Sequence, residues 1–163
     1  METTLMNKKR SKTVYVMKYG IFNIVSILLC FLGVIALKTF AAPCERGMIC
    51  VKTTSVCMVL LLIIAGLHAV SMASIFTYKR EKELSVLNVV MLTAQFLLEI
   101  VGVLMINGVF PGMGVCRVET MRCATITKPF LANCFFLLIV IAMISLIYNM
   151  ITLAREQNSD EDT

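Results

Sequence analysis

The stretch "LSVLNVVMLTAQFLLEIVGVLMI", Leu84 to Ile106, decides the fold of this chain. Roughly 20 predominantly apolar residues are enough to carry a helix across the hydrocarbon core of a bilayer, and this run has that length. Three further apolar runs of similar length occupy Tyr19–Leu37, Ser55–Phe76 and Phe130–Thr152. The sequence therefore predicts an all-α, polytopic membrane protein with four transmembrane helices at about 19–37, 55–76, 84–106 and 130–152.

The composition agrees with a protein that lies almost wholly in a membrane. Of its 163 residues, 59% are hydrophobic and 15% are charged, and the mean hydropathy is +0.88. Unpaired backbone groups are costly in lipid, and the apolar runs lack strand-like alternation, so helices are expected rather than a barrel. We expect a single transmembrane domain over 1–163, surrounded by the lipid bilayer, without a soluble domain.

Basic residues outside the runs predict the orientation. Nine precede the first helix, follow the second or follow the fourth: Lys8, Lys9, Arg10, Lys12, Lys18, Lys79, Arg80, Lys82 and Arg155. Six fall on the other side: Lys38, Arg46, Lys52, Arg117, Arg122 and Lys128. The positive-inside rule then places both termini in the cytoplasm and the segments 38–54 and 107–129 outside as loops. The net charge of +5 is mainly this orientation signal, so no nucleic-acid partner is expected.

The first apolar run also has the flanks of a secretory signal peptide, but cleavage is not expected. Its length exceeds the 7 to 15 residues typical of the apolar region of a signal peptide, and "FAA" before Pro43 is a poor cleavage site.

The two predicted outer loops repeat one pattern. "APCERGMIC" (Ala42 to Cys50) and "GVCRVETMRC" (Gly114 to Cys123) each place a methionine two positions before the second of two cysteines. A threonine follows the second cysteine in each loop, Thr53 after Cys50 and Thr125 after Cys123. The helices before the loops match as well, since Ser26, Cys30 and Gly33 correspond to Gln95, Glu99 and Gly102. The chain is therefore predicted to be two hairpins of one design, a parallel internal repeat whose pseudo-twofold axis follows the membrane normal.

The repeat resembles a family of small, uncharacterised bacterial four-helix membrane proteins with paired-cysteine outer loops, classed as a domain of unknown function. The residues that carry this resemblance are Pro43, Cys44, Met48, Cys50, Thr53, Cys116, Met121, Cys123 and Pro129. The chain departs from the expected pattern at Val51 and Lys52, where an aromatic residue or a histidine would be expected. The resemblance implies a four-helix bundle in a bacterial inner membrane and supplies no activity.

Three interpretations of the loop cysteines Cys44, Cys50, Cys116 and Cys123 stay open. Structural disulfides are typical of an oxidising compartment, and closing a ring of about 7 residues within one loop is worth roughly 2.4 kcal/mol. Pairing between the loops is equally compatible with the sequence. A soft-metal site for Cu(I) would use Cys44, Met48, Cys50, Cys116, Met121 and Cys123. Thiol–disulfide exchange is the third interpretation, although the chain lacks the tight Cys-x-x-Cys motif of such proteins. Cys30, Cys57 and Cys134 are interpreted as small core residues.

Polar residues inside the predicted helices form the second candidate site. Asn88, Gln95 and Glu99 lie on one stripe of the third helix, and an ionised acid there costs about 2.5 to 3.5 kcal/mol. We expect a neutral carboxyl with a buried hydrogen bond. His68 is the partner by type, but it lies about 12 Å from the inner face and Glu99 about 22 Å, which favours a water-mediated link.

Small and polar residues also predict the inward faces. They are Asn23, Ser26, Cys30 and Gly33 in the first helix, Ala65, Ala69 and Ala73 in the second, Asn88, Gln95, Glu99 and Gly102 in the third, and Cys134, Ala142, Ser145 and Asn149 in the fourth.

No nucleotide-binding loop, nucleophile elbow or His-Glu-x-x-His motif is present, so an enzyme is not predicted and no cofactor is expected. The first functional hypothesis is a non-enzymatic accessory or structural subunit of a membrane-protein complex, stabilised by loop disulfides. The second is a small homo-oligomeric transporter or channel that uses Glu99, Gln95 and His68. The third is a thiol-redox or soft-metal protein that uses the loop cysteines.

Overall fold

A computed structural model describes residues 2–41, 49–77, 81–114 and 121–161. These residues form four α-helices: α1 (Glu2–Lys38), α2 (Ile49–Thr77), α3 (Glu81–Ile106) and α4 (Lys128–Glu161), and a π-helical turn at Cys123–Thr127 leads into α4. The part of the chain that is described contains no strand, and the predicted all-α fold is confirmed. Each helix has an apolar segment long enough to cross a membrane: Gly20–Lys38, Ile49–Ser74, Val86–Ile106 and Cys123–Ile151.

The helices are longer than the sequence predicted, most of all at the two cysteine loops. α2 begins at Ile49, and the π-helical turn begins at Cys123, so Cys50 and Cys123 belong to helical turns. Both side chains are buried. The predicted outer loops 38–54 and 107–129 are therefore shorter, and two of their four cysteines belong to the bundle.

The helices pack in the order of the chain around a central core. α1 contacts α2 extensively and α3 contacts α4 in the same way, while α2–α3 and α1–α4 contacts close the ring. The result is two antiparallel hairpins whose free ends lie together; we call this the termini end and the opposite side the loop end. Large apolar side chains such as Leu32 and Phe136 cover the outside and are 61% and 62% exposed, as a lipid-facing surface requires.

Buried positions recur at alternating steps of three and four residues, the spacing of a left-handed helical bundle. They include Asn23, Ser26, Cys30, Gly33 and Leu37 in α1, Cys57, Leu61, Ile64, His68 and Ser71 in α2, Asn88, Leu92, Gln95, Glu99, Gly102 and Ile106 in α3, and Leu131, Phe135, Leu138, Ala142, Ser145 and Asn149 in α4. The inward faces predicted for α1, α3 and α4 are confirmed.

The inward face predicted for α2 is wrong at two of its three positions. Ala65 is buried, but Ala69 and Ala73 are exposed on the outside of the bundle. A step of four residues advances a helix by slightly more than one turn, so a strict four-residue repeat drifts off the buried seam.

The two hairpins bury corresponding positions. At the π-helical turn, the number of residues that separates matching positions increases by one. Before the end of that turn, Cys50 corresponds to Cys123 and Thr54 to Thr127. After it, the matching buried pairs are Cys57 and Leu131, Leu61 and Phe135, Ile64 and Leu138, and Ser71 and Ser145. A π-turn adds a residue without breaking the helix, so α4 keeps its seam. Thr125, which the sequence matched with Thr53, is exposed.

Two glycines let α4 approach its neighbours closely. A Cβ atom on Gly102 of α3 would lie 2.5 Å from Cε1 of Phe135, well inside van der Waals contact. A Cβ atom on Gly33 of α1 would lie 3.1 Å from Sγ of Cys134 and 3.3 Å from Cδ1 of Leu61. These contacts fix α4 against both α1 and α3.

Replacing Gly102 with alanine is expected to destabilise the bundle, because the fully buried ring of Phe135 must shift. Overpacking of this kind typically costs about 1–3 kcal/mol. Reversible unfolding in mixed detergent micelles, followed by circular dichroism, measures the loss. Gly66→Ala is the matched control, since nothing lies within 4 Å of the added methyl group. Equal stability of the two variants would contradict the close α3–α4 packing.

Candidate functional site: a buried polar column

The bundle interior has two chemically different halves. In the half toward the termini end, every helix buries polar side chains. In the middle of the loop half, the buried side chains are apolar on every helix. We call the first set the polar column; its members are Asn23, Ser26, His68, Ser71, Ser74, Asn88, Gln95, Glu99, Ser145 and Asn149. We call the second set the apolar plug; its members are Leu37, Cys57, Leu61, Ile106, Leu131 and Phe135, all in one contiguous hydrophobic cluster. Every side chain in both sets is buried.

Hydrogen bonds between helices form the part of the polar column nearest the termini end. Oγ of Ser71 in α2 donates to Oδ1 of Asn88 in α3 at 3.1 Å. One turn further in, Nδ1 of His68 is 2.8 Å from Oδ1 of Asn23 in α1. Because this oxygen is an acceptor, Nδ1 carries the hydrogen, and Nε2 of a neutral ring is then an acceptor. These two pairs link α2 to both of its neighbours in the ring.

The deeper part of the column holds polar groups that have no protein partner. Oγ of Ser26, Oε1 and Nε2 of Gln95, and both carboxyl oxygens of Glu99 are buried without a hydrogen bond. Gln95 and Glu99 are both 0% exposed. An unpaired buried polar group typically costs about 1–3 kcal/mol, and a charge inside a bilayer costs more. The centre of the bundle therefore concentrates hydrogen-bonding capacity that the side chains themselves do not use.

Among the described residues, the carboxyl oxygens of Glu99 have no direct protein partner, and the water-mediated link to His68 stays a prediction. His68 bonds to Asn23 instead, and its Nε2 has no partner. The two residues sit at different depths, as counting residues along the helices had indicated. Asn88 also keeps an unpartnered group, Nδ2, although its oxygen accepts from Ser71.

A buried thiol of α1 lies near the carboxyl group of Glu99. Cys30 is within electrostatic range of both Glu99 and Cys134 of α4. Both cysteines are buried free thiols, and Cys134 packs against Gly33 at the level of the plug.

The apolar plug closes the column on the loop side of Glu99. Gly102 lies one helical turn beyond Glu99, and the ring of Phe135 packs directly on it. Leu61 and Cys134 close against Gly33 at about the same level. Glu99 lies about 10 Å below Ile106, the loop-side end of its span, so the plug occupies roughly the outer third of that span.

Hydrogen bonds between the two hairpins hold the loop end together. Oγ1 of Thr53 in α2 donates to the carbonyl of Gly114 and accepts from its N–H, both at 2.9 Å. Arg122 donates to the carbonyl of Phe40 at 3.0 Å, and Thr127 donates to the carbonyl of Ala41 at 3.1 Å. The rings of Phe40 and Phe130 pack edge to face, with centroids 5.5 Å apart. All of these contacts join one hairpin to the other.

The corresponding cysteines of the two hairpins meet at this end. Sγ of Cys50 lies 3.1 Å from Sγ of Cys123, and both residues are buried. Cys50 is a free thiol, so the predicted ring between Cys44 and Cys50 is not formed, whereas Cys123 is not a free thiol. The reason is that Cys50 sits in the first turn of α2 and points into the bundle. Cys44 and Cys116 lie outside the described residues, and the remaining disulfide candidates stay predictions.

The soft-metal interpretation gains no support from the residues that are described. Among them, no group of three histidine, cysteine, aspartate or glutamate side chains is placed to hold a metal ion. Cys44, Met48 and Cys116, half of the six predicted ligands, lie outside the described ranges. The set therefore stays a prediction.

Sequence reasoning found the intramembrane residues His68, Asn88, Gln95 and Glu99 but missed Ser71, which bonds Asn88. It also missed Thr53, Thr54 and Thr127 as buried residues at the loop end. The alternating three–four spacing from Cys57 through Leu61, Ile64 and His68 to Ser71 would have identified Ser71. The threonines carry no such signal, because they lie where the sequence indicated loops.

Comparison with known proteins adds no relative. The chain matches no protein-family model, no curated protein and no solved structure. Its resemblance to the four-helix family of unknown function stays a prediction. The geometry of the bundle itself therefore carries the functional proposal.

Replacing Thr53 with valine is expected to weaken the loop end, because the buried N–H and carbonyl of Gly114 both lose their partner. Leaving buried groups unpaired typically costs about 1–3 kcal/mol each. Thr93→Val is the matched control, because Thr93 is exposed. Its hydroxyl bonds to the backbone carbonyl of Val89 in the same helix, and Thr53 has a similar contact with the carbonyl of Ile49. Unfolding in mixed micelles should separate the two variants, and equal midpoints would contradict the role of the Thr53–Gly114 pair.

Proposed function

We propose that this chain is a non-enzymatic membrane protein that binds a proton, or a monovalent cation in its place, at Glu99. It would act as a small transporter or channel. One observation carries the proposal: the carboxyl group of Glu99 is fully buried in a membrane-spanning helix, and neither of its oxygens has a protein partner. An acid in this position is expensive to insert, and such residues typically mark ion or proton pathways.

The charges around Glu99 favour a monovalent cation over other ligands. Among the buried side chains that are described, Glu99 is the one carboxyl group, and none is a lysine or an arginine. The ionisable groups that neighbouring helices add to the interior include Cys30 of α1, Cys57 and His68 of α2 and Cys134 of α4. An anion would meet no positive partner, and a divalent cation such as Ca²⁺ prefers several charged oxygen ligands. A proton or a small monovalent cation needs only one negative charge.

The unpartnered groups of the polar column support a relay toward Glu99. Nearer the termini end, a hydrogen-bond partner is missing at Nε2 of His68 and at Nδ2 of Asn88. Next to Glu99, it is missing at Oγ of Ser26 and at the amide of Gln95. Together they form a series of hydrogen-bonding groups along the bundle axis. Such a series suits proton or cation movement better than a purely structural role, which would pair these groups with each other.

Duplication of one hairpin would explain why the acid lies at the centre. Cys30 and Glu99 occupy corresponding positions, as do Ser26 and Gln95, and all four are buried around the bundle axis. The two copies are proposed to share one architecture and to differ in chemistry at this level. The second copy supplies the acid and the amide.

Glu99→Gln is expected to abolish the function while keeping the fold, since the amide has nearly the same shape but cannot take up a proton. Purified protein in liposomes, with a pH indicator inside and an imposed potassium diffusion potential, measures proton flux. Flux in the variant should fall to the level of protein-free liposomes, and Glu99→Asp should retain part of it.

Circular dichroism and the unfolding midpoint serve as the fold control for both variants. Wild-type flux from a correctly folded Glu99→Gln protein would refute the proposal. Substituting Na⁺ or K⁺ gradients for the proton gradient in the same liposomes identifies the cation.

A second candidate function, an accessory subunit of a membrane-protein complex, is favoured by the lengths of α1 and α4. α1 begins at Glu2 and α4 ends at Glu161, so both helices continue past their membrane spans at the termini end, by about 27 Å and about 15 Å. The α1 extension is rich in lysine, and the α4 extension carries the acidic stretch "EQNSDE". Helical extensions of opposite charge are suitable contact surfaces for a partner.

Removal of residues 156–163 tests the accessory function. If the tail binds a partner, a protein that co-purifies with the full chain after mild solubilisation should be lost from the truncated one. Recovery of the full chain alone, as a single species, argues against a partner.

A further inference from the structure

We infer that Glu99 exchanges its ligand only with the compartment at the termini end of the bundle, and that Phe135 is the residue that bars the loop side. This inference rests on the proposed function, because it concerns the access route to the same site. It goes further because it states from which side the site is reached and names the side chain that blocks the other side.

Polar residues of all four helices line the interior on the termini side of Glu99, beside buried apolar residues such as Leu92 and Ala142. From Glu99 toward that end, the interior presents Gln95 and Ser26, then His68 with Asn23, then Ser71 with Asn88, and α4 contributes Ser145 and Asn149 along the same stretch. Each of the four helices contributes at least two of these residues. A cation or proton that moves along this route meets a hydrogen-bonding group at about every turn of helix.

The loop side of Glu99 offers no such group for about two turns of helix. Leu37, Cys57, Leu61, Ile106, Leu131 and Phe135 fill the interior there and belong to one packed cluster. The ring of Phe135 lies so close to Gly102 that not even a methyl group fits between them. Transfer of an ion through this layer without partners is strongly unfavourable.

Hydrogen bonds at the loop end hold the plug in place. Thr53 with Gly114, and Thr127 with Ala41, join the two hairpins just beyond it. In the polar half, His68 with Asn23 and Ser71 with Asn88 join neighbouring helices, while several other polar groups have no protein partner. The two halves therefore differ in polarity, and the polar half is the one that leads to the site.

Native Cys30 reports access to Glu99 without any substitution. It is a buried free thiol within electrostatic range of Glu99. Ag⁺ is a suitable probe, because it is a monovalent cation that binds thiols. Ag⁺ is added only to the outside of sealed vesicles, which are prepared with the protein in each of its two orientations. The protein is then denatured and alkylated, and mass spectrometry measures the fraction of Cys30 that Ag⁺ has protected from alkylation.

We expect Ag⁺ on the termini face to protect Cys30 more than about tenfold faster than Ag⁺ on the loop face. Leu32→Cys is the control for entry through lipid, since Leu32 faces outward from the same helix; its thiol should stay unprotected from either side. Faster protection from the loop face, equal protection from both faces or protection from neither would overturn the inference.

Phe135→Ala should open the loop side, so that Ag⁺ on that face protects Cys30 at a rate close to that from the termini face. Phe136→Ala is the matched control, because Phe136 is the next residue and faces lipid; it should leave the loop-face rate unchanged. If Phe135→Ala does not fold, Phe135→Leu makes a smaller opening and should raise the loop-face rate by a smaller factor. Unchanged loop-face rates in the folded Phe135 variants would refute the gate.

The outcome separates this inference from the proposed function. Loss of proton flux in Glu99→Gln together with access from the loop face would keep the site and refute its direction. Unaltered flux in Glu99→Gln together with one-sided protection of Cys30 would keep the direction and refute the site.

Discussion

A polar group inside a bilayer must find its partner within the protein, and this constraint shapes the whole structure. The backbone satisfies it by forming helices, which is why every membrane-spanning segment of the described chain is helical. Most polar side chains satisfy it by facing the bundle interior and bonding to a neighbouring helix or to their own backbone. Ser26, Gln95 and Glu99 are the exceptions, because they face the interior and have no protein partner there.

The rest of the bundle makes that exception tolerable. Close packing at Gly33 and Gly102 and the hydrogen bonds between the hairpins stabilise the loop half, which contains the hydrophobic core. A lipid-facing surface of large apolar side chains keeps the polar interior away from the bilayer. The hydrophobic cluster lies mainly toward the loop end, and the buried groups without a protein partner lie at Glu99 and on its termini side. This division is the physical basis for assigning function to the polar column and structure to the plug.

Much of this arrangement is readable from the sequence, for identifiable reasons. Four apolar runs predict four helices because the thickness of a bilayer fixes the length of a span. Inward residues such as Ser26, Gln95, Glu99 and Asn149 are predictable because a polar side chain in a membrane helix has only one favourable direction. The prediction failed for Ala69 and Ala73, since alanine is tolerated on both faces and its position carries little information.

Contacts between hairpins lay beyond what the sequence could predict. Thr53 bonds to Gly114 and Cys50 meets Cys123 because α2 and the π-helical turn begin inside the predicted loops, and propensity gives no signal for a π-turn. The partner of His68 also depends on the relative heights of α1 and α2, which residue counting fixes only to within about one turn. The missed contacts at the loop end are the ones that join the two hairpins there.

The proposed function depends most on the binding and release of a proton by Glu99 inside the bundle. Infrared difference spectra of the protein in lipid, recorded across a pH step, measure this directly through the carbonyl band of a protonated carboxyl group. We expect a pH-dependent band at the frequency of a carboxyl group in an apolar environment. This band should be present in the wild-type protein and absent from Glu99→Gln. A pH step that changes the carboxyl bands of both proteins identically would contradict it.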